Sequence, residues 1–186
     1  MLDKKFISSN IFNILNSNNN FNFTILIELS ELHILAESII PCLLPGDWIF
    51  LDGDLGSGKT ALTKQLSIAL GAESFSTSPT FSILNTETLN KEKSILDKSI
   101  NLNKLIHLDL YRLKSGKELN FLGLEDEFNL SSSICIIEWP YNIDEPDYEN
   151  FFKLTKCPKP KRILEISIEL TEDQLIRSYA FKKTEI

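Results

Sequence analysis

Residues 48–60, Trp-Ile-Phe-Leu-Asp-Gly-Asp-Leu-Gly-Ser-Gly-Lys-Thr, contain the pattern on which the fold prediction depends. From Gly53 to Thr60 they match G-x-x-x-x-G-K-[ST], the pattern of a phosphate-binding loop, at every defined position. The apolar run before the glycines predicts a buried strand, and apolar residues recur at helical spacing after them until Gly71. A strand, a glycine-rich turn and a helix therefore follow one another in the order that such a loop requires.

The residue types in this loop indicate what it would bind. Glycines let the backbone turn tightly, so that successive N–H groups can surround phosphate oxygens. Lys59 can reach the β- and γ-phosphates as a point charge, and the Thr60 hydroxyl can bind a Mg²⁺ ion that bridges them. The positive end of the following helix also attracts an anion. We therefore predict a nucleotide-binding loop composed of Asp54, Leu55, Gly56, Ser57, Gly58, Lys59 and Thr60.

The composition is typical of a globular protein with one domain. The chain has 186 residues, of which 42% are hydrophobic, a net charge of −7 and a pI near 4.9. An acidic chain lacks the clustered basic residues that neutralise nucleic-acid phosphates, and no apolar run is long enough to cross a bilayer. The three cysteines lack metal-ligand spacing and predict reduced, buried thiols. We expect a cytoplasmic protein without a membrane segment.

The domain is predicted to cover residues 23–186 and to follow an N-terminal extension. Residues 1–22 contain seven asparagines and only scattered apolar residues, which predicts disorder, and they lack the apolar segment of a signal peptide. A strand is predicted at residues 23–29, followed by a helix that Ser30 caps and Pro41 ends. Residues 86–104 are polar, with weak periodicity, and predict a surface loop.

Two further strands carry the acidic residues of the predicted site. Residues 105–111 alternate in polarity, which places Asp109 on a polar face. Residues 134–139 form an apolar strand with Glu138 at its carboxyl end, where ligands bind in open α/β sheets. Glu138 and Thr60 are therefore predicted to share a Mg²⁺ ion. Asp109 is assigned to orienting or deprotonating the attacking water, with a supporting role beside the metal ligands as the alternative.

Two more residues are candidates for contact with the nucleotide. Trp139 follows the predicted metal carboxylate and could either close over the site or simply pack. Thr80 belongs to the turn Ser78-Pro-Thr, which could place it over the nucleotide. The remaining predicted elements are a short helix at 115–122, a strand at 162–170 and a final helix opened by a capping box at 171–174.

Five ordered segments resemble those of the TsaE (YjeE) ATPases, and the resemblance covers roughly residues 23–170. The segments are Gly-Asp-Leu-Gly-Ser-Gly-Lys-Thr, Ser78-Pro-Thr80, His107-Leu-Asp-Leu-Tyr-Arg-Leu113, the helix at 118–123 and Ile137-Glu-Trp-Pro140. The resemblance implies an ATPase of bacterial tRNA threonylcarbamoyladenosine (t6A) synthesis at adenosine 37. It also implies binding to the transferase proteins TsaD and TsaB, with tRNA involved only indirectly.

The resemblance also implies roles for individual residues. Lys59 would hold phosphate, Thr60 and Glu138 would bind Mg²⁺, and Thr80 would belong to a switch-like loop. Asp109 and Trp139 match positions associated with hydrolysis. Ser57 stands where the family commonly has Ala, and Ala61 where a second Thr is usual, but neither change removes a phosphate or metal contact.

We therefore predict an α/β fold, a single-domain P-loop NTPase with a mixed, largely parallel central sheet flanked by helices. Three other functions share the same loop. A small-molecule kinase would need a lid with several arginines, and this chain has only three arginines. A regulatory GTPase would need Asn-Lys-x-Asp, and the nearest string, Asn90-Lys-Glu-Lys93, lacks the aspartate. A nucleotide-dependent binding switch remains open.

Overall fold

The computed structural model describes residues 2–17, 21–73, 83–113, 118–119, 123–142 and 148–184. In these residues a mixed β-sheet carries helices on both faces. The strands are Phe23–Glu28 (β1), Asp47–Asp52 (β2), Leu84–Thr88 (β3), Lys104–Asp109 (β4), Ser133–Glu138 (β5), Arg162–Leu170 (β6) and Ile176–Thr184 (β7). The helices are Lys4–Asn16 (α1), Leu32–Ile39 (α2), Lys59–Ala69 (α3), Leu124–Glu127 (α4) and Tyr148–Thr155 (α5).

The strand order brings the predicted functional segments to one edge of the sheet. The order is β1-β7-β6-β2-β5-β4-β3, with β6, β2, β5 and β4 parallel and the outer strands paired antiparallel. The parallel strands β2, β4 and β5 therefore end side by side. The predicted α/β architecture with a mixed sheet is confirmed, and the crevice at these carboxyl ends is the expected place for a ligand.

Hydrophobic packing on both faces holds β2 in the centre. Helices α1, α2 and α3 cover one face, where the buried side chains are almost all aliphatic. On the other face Trp48 and Phe50 of β2 lie in a core with Phe128, Phe151 and Phe152. Full burial of one such side chain is worth about 1.5–3 kcal/mol. A strand fixed on both faces gives the following loop a rigid starting point.

The N-terminal segment is helical where disorder was expected, so that prediction is wrong for residues 4–16. Helix α1 begins after Asp3, whose carboxylate accepts hydrogen bonds from the N–H groups of Lys5 and Phe6. Its buried side chains are Ile7, Ile11, Ile14 and Leu15. They recur at helical spacing and pack against α2 and β7. The asparagines of the helix, Asn10, Asn13 and Asn16, are outside this buried stripe. The high asparagine content of the segment concealed the apolar stripe in the sequence.

We expect Ile11→Ala to destabilise the whole domain, because the Ile11 side chain is fully buried between α1 and the sheet. Removing such a side chain should lower the free energy of unfolding by about 2–5 kcal/mol, measured by urea titration. Phe12→Ala is the matched control, since Phe12 is 56% exposed on the same helix and should change stability by about 0.5 kcal/mol or less. Equal stability of the two variants would contradict the packing of α1.

The predicted C-terminal helix is instead strand β7, so that prediction is also wrong. The hydroxyl of Thr171 donates to the carbonyls of Asp173 and Ile176, which makes residues 171–175 a hairpin turn rather than a helix cap. In β7, Tyr179 and Phe181 are buried at a spacing of two, and the strand pairs with both β6 and β1. The alternation of apolar residues in this segment is typical of a strand, and it was a better guide to the structure than the local capping pattern.

Two smaller predictions also need correction. Ser30 does not cap a helix, because a short 3₁₀ turn at Leu29–Glu31 comes before α2 and the Ser30 hydroxyl contacts the Glu28 carboxylate instead. The surface loop predicted at 86–104 begins later, since Leu84–Thr88 forms edge strand β3. Leu96 and Leu102 of the following segment are buried against the core.

Two features agree with expectations drawn from composition. All three cysteines are buried and free of disulfide bonds, and burial raises the pKa of the Cys42 thiol to about 11. A thiol with such a pKa is a poor nucleophile at neutral pH. In the part of the chain that the structure describes, every helix is too short or too polar to span a membrane.

Candidate functional site

The turn between β2 and α3 has a shape that depends on its glycines, as Gly53 and Gly58 illustrate. Gly53 has φ +141°, and a Cβ atom there would lie 2.2 Å from the Ile168 carbonyl oxygen. Gly58, immediately before α3, has φ +109°, in the region that favours glycine. A Cβ atom on Gly58 would meet no atom within 4 Å, so this side of the turn is open. The predicted order of strand, glycine turn and helix is confirmed.

Lys59 is buried inside the turn with its ammonium group surrounded by neutral acceptors. The side chain is 4% exposed and donates to the carbonyls of Gly53 at 2.6 Å and Asp54 at 2.9 Å. The indole ring of Trp139 covers the ammonium, with 3.6 Å between nitrogen and ring centre. Burial lowers the pKa of Lys59, while nearby carboxylates, Glu138 foremost, act in the opposite direction. An anion entering the turn would meet this ammonium.

Glu138, at the end of β5, is held by three hydrogen-bond donors. Thr60 Oγ1 donates to Oε2 at 2.8 Å, Thr63 Oγ1 donates to Oε1 at 2.9 Å, and His107 Nε2 contacts Oε1 at 2.9 Å. The carboxylate is 1% exposed, and burying a charge without such partners is very costly. The structure thus brings together Thr60 and Glu138, which are 78 positions apart in the sequence.

A cavity of about 350 Å³ lies between the glycine turn and the carboxyl ends of β4 and β5. Lys59, Thr60 and Glu138 line it, and Asp109 reaches it from β4, directly beside Glu138 in the parallel register. Burial raises the pKa of Asp109, and a hydrogen bond from the Tyr111 N–H, at 3.1 Å, opposes that rise. The cavity therefore combines a buried cation with two neighbouring carboxyl groups.

Trp139 lies at the rim of this cavity in an uncommon backbone conformation. Its φ is +58°, a left-handed value that is rare for a bulky residue and often marks a functional site. The Trp139 N–H donates to the Leu51 carbonyl at 3.0 Å, and the ring lies 4.9 Å from that of Tyr111. The indole packs against the aromatic core and also covers the Lys59 ammonium. Trp139 therefore has both of the arrangements considered from the sequence, packing in the core and lying over the site.

Comparison with known proteins identifies the family of this chain. Residues 26–174 match the profile of the family described as "Threonylcarbamoyl adenosine biosynthesis protein TsaE". The chain belongs to the TsaE family. A TsaE protein of Rickettsia bellii, named as a tRNA threonylcarbamoyladenosine biosynthesis protein, is 31% identical over 151 residues, which cover 81% of this chain and 88% of that protein.

Other TsaE proteins match over a shorter range. The protein of the same name from Haemophilus influenzae is 43% identical over 91 residues, or 49% of this chain and 50% of its own length. This chain thus spans about half the length of several curated relatives that it matches. The crystal structure of Bacillus subtilis YdiB superposes with a TM-score of 0.60 at 25% identity, covering 91% of this chain and 90% of that chain.

The residues of this TsaE-family cavity fit a nucleotide with Mg²⁺. Within the described residues, no group of three or more His, Cys, Asp and Glu side chains is arranged to hold a metal by itself, so phosphate oxygens and water would complete the coordination of a bound Mg²⁺. Thr60 gives its only hydroxyl proton to Glu138, which leaves its oxygen lone pairs available. Glu138 accepts three hydrogen bonds, so about one of its four acceptor positions remains for a water bound to the metal.

Sequence reasoning located most of this site but left some of it out. Thr63 and His107 received no role, although Thr63 follows Thr60 by three residues on α3 and His107 alternates with Asp109 on β4. Arg112 also lines the cavity. Thr80, with Ser78 and Pro79, lies outside the described residues, as does most of the predicted helix at 115–122.

Proposed function

We propose that this chain binds ATP together with Mg²⁺ and hydrolyses it to ADP and phosphate as part of t6A synthesis on tRNA. The contact between Thr60 and Glu138 carries the proposal, because it joins the phosphate-loop threonine to a strand carboxylate beside the buried Lys59. The names of the TsaE relatives support the link to tRNA modification. Membership of the TsaE family supports nucleotide binding.

Each residue of the cavity has a role in this proposal. The backbone of residues 54–58 and the Lys59 ammonium would bind the phosphates, while the Thr60 oxygen and Glu138 would hold Mg²⁺. When bound, Mg²⁺ supplies positive charge that offsets the charge of the phosphates. Asp109 orients the attacking water and accepts its proton, helped by a pKa that burial raises above its ordinary value. Trp139 excludes water from the Lys59 side of the cavity.

The partners in this proposal are the transferase proteins TsaD and TsaB, and the reaction takes place in the cytoplasm. Hydrolysis resets that complex after each round of transfer. A net charge of −7 disfavours direct binding to tRNA, whose phosphates would repel an acidic surface. The chain would therefore meet tRNA only through its partners, and no membrane takes part.

Reconstituted t6A synthesis tests the proposal. With tRNA, ATP, TsaD and TsaB, we expect continued product formation over many turnovers only when this chain is present. Its ATPase activity should be weak alone and should rise about tenfold on adding the transferase pair, which corresponds to an ordinary coupling free energy. Phosphate release that does not change with authentic partners, together with t6A synthesis that does not need this chain, would contradict the proposal.

Asp109→Ala separates ATP hydrolysis, measured as phosphate release, from ATP binding, measured by calorimetric titration. The variant should bind ATP with nearly wild-type affinity but hydrolyse it about 100-fold more slowly, the loss expected when a general base is removed. Asp126→Ala is the matched control, because Asp126 is an exposed carboxylate on α4 and should leave both quantities unchanged. Full turnover by Asp109→Ala would remove this residue from the mechanism.

The small-molecule kinase and the binding switch predict different experimental outcomes. A small-molecule kinase would transfer phosphate to an acceptor faster than it releases free phosphate, and a binding switch would respond to nucleotide without needing hydrolysis. In the described residues Arg112 is the only arginine that lines the cavity, which gives little support to a clamping lid. A screen of sugar and nucleoside acceptors distinguishes the kinase, and t6A synthesis with a non-hydrolysable ATP analogue distinguishes the switch.

A further inference from the structure

Arg177 is a buried arginine on the β6–β7 hairpin that has no role in the site described above. Its side chain is 9% exposed and lies on the same strand face as Tyr179 and Phe181. Its Nε donates to the Ser57 carbonyl at 3.2 Å, across 120 positions of sequence. Its Nη1 donates to the carbonyls of Gln174 and Ile176. Among the described residues no carboxylate forms an ion pair with Arg177. The positive charge of its guanidinium group is therefore unpaired among these residues and lies beside the glycine turn.

The hydrogen bond to Ser57 fixes the direction of the next N–H group. A trans peptide is planar, and its C=O and N–H point in opposite directions. Holding the Ser57 carbonyl toward Arg177 therefore turns the Gly58 N–H away from the hairpin. Within the described part of the chain this N–H has no acceptor, and Gly58 lines the cavity together with Lys59 and Thr60. An unpaired donor on a residue that lines this cavity suits an anionic ligand.

The same hairpin supports the other end of the turn. Gly53 packs so closely on the Ile168 carbonyl that a Cβ atom would lie 2.2 Å from it. Ser57 is fully buried, with its hydroxyl 3.5 Å from the Lys59 ammonium. The glycine turn therefore rests on β6 at one end and on Arg177 of β7 at the other.

We propose that Arg177 is a positioning residue for the phosphate loop, which holds the Ser57–Gly58 peptide so that the Gly58 N–H faces the phosphates. The proposal rests on nucleotide binding at this loop and extends it to a residue outside the loop. A purely structural role would be different, because Arg177 would then only tie the hairpin carbonyls of Gln174 and Ile176 together. The two roles are separated by comparing nucleotide affinity with stability.

Calorimetric titration of the full chain with ADP, alongside thermal unfolding, provides the test. In Arg177→Gln the Gly58 N–H would no longer be held toward the charged phosphates. ADP binding should therefore weaken about tenfold or more, the loss expected for one hydrogen bond to a charged group. Arg177→Lys, which keeps the charge and the aliphatic stem, should bind with intermediate affinity. Adding millimolar guanidinium to Arg177→Ala should restore part of the lost affinity, a rescue that hairpin stabilisation alone does not predict.

Arg162→Gln is the matched control. Arg162 is also a partly buried arginine that binds backbone and carboxylate oxygens, those of Cys42 and Asp47, at the opposite end of the sheet. It should lose stability while binding ADP normally. Wild-type affinity in Arg177→Gln or Arg177→Lys, or equal losses of affinity in the Arg177 and Arg162 variants, would overturn the proposal. Wild-type protein that binds no ADP would instead overturn the proposed function itself.

Discussion

Lys59→Ala is expected to weaken ATP and ADP binding by about 100-fold or more. The Lys59 ammonium is buried in the glycine turn and is the basic group closest to the carbonyls of Gly53 and Asp54, where it would exchange those contacts for phosphate oxygens. Charge-assisted hydrogen bonds are worth about 1.5–3 kcal/mol each, so the loss of two corresponds to roughly 100-fold or more in affinity. Calorimetric titration of the wild type and the variant measures this directly.

Lys64→Ala is the matched control for this experiment. Lys64 is on the same helix, α3, but is exposed to solvent and does not line the cavity. Its removal should leave nucleotide affinity unchanged. If Lys59→Ala were to bind ATP within a factor of about three of the wild type, which is under 1 kcal/mol, the turn would not be the phosphate site.

Glu138→Gln is expected to remove the dependence of ATP binding and hydrolysis on Mg²⁺. The substitution keeps the size of the side chain but removes the negative charge that would pair with the metal. The new NH₂ group cannot accept a hydrogen bond, so one of the donors from Thr60, Thr63 or His107 would lose its acceptor. We expect hydrolysis to fall about 100-fold, or near 3 kcal/mol in the activation free energy. The measurement is a titration with Mg²⁺ at fixed ATP, followed by phosphate release.

The control is Glu169→Gln, which changes an exposed carboxylate of β6. Its response to Mg²⁺ should match that of the wild type. Binding of ATP by Glu138→Gln that still strengthens with Mg²⁺ to the wild-type extent would exclude Glu138 from the metal site. Such a result would leave the role of Lys59 in phosphate binding unaffected.

The elements that sequence reasoning predicted correctly are those with a strong local signal. The loop from Gly53 to Thr60 follows from spacing alone, and the strand that ends at Glu138 follows from its continuous apolar run. The contact of Thr60 with Glu138 could be expected because parallel strands present their carboxyl ends at one edge. Local pattern and global fold agree at this site.

The predictions that failed concern segments whose structure depends on distant contacts. Helix α1 depends on an isoleucine stripe that is buried only when α2 and β7 are in place, so composition alone favoured disorder. Strand β7 depends on pairing with β1 and β6, while a local capping pattern favoured a helix. Because the sequence predicted a helix in place of β7, the contact of Arg177 with Ser57 could not be predicted.

A crystal structure of the chain grown with a slowly hydrolysed ATP analogue and Mg²⁺ tests the central claim most directly. We predict phosphates enclosed by residues 53–59, with Lys59 contacting them and the metal ion beside the Thr60–Glu138 pair. An empty turn at saturating nucleotide, or a bound metal with Glu138 pointing away from Thr60, would contradict the account.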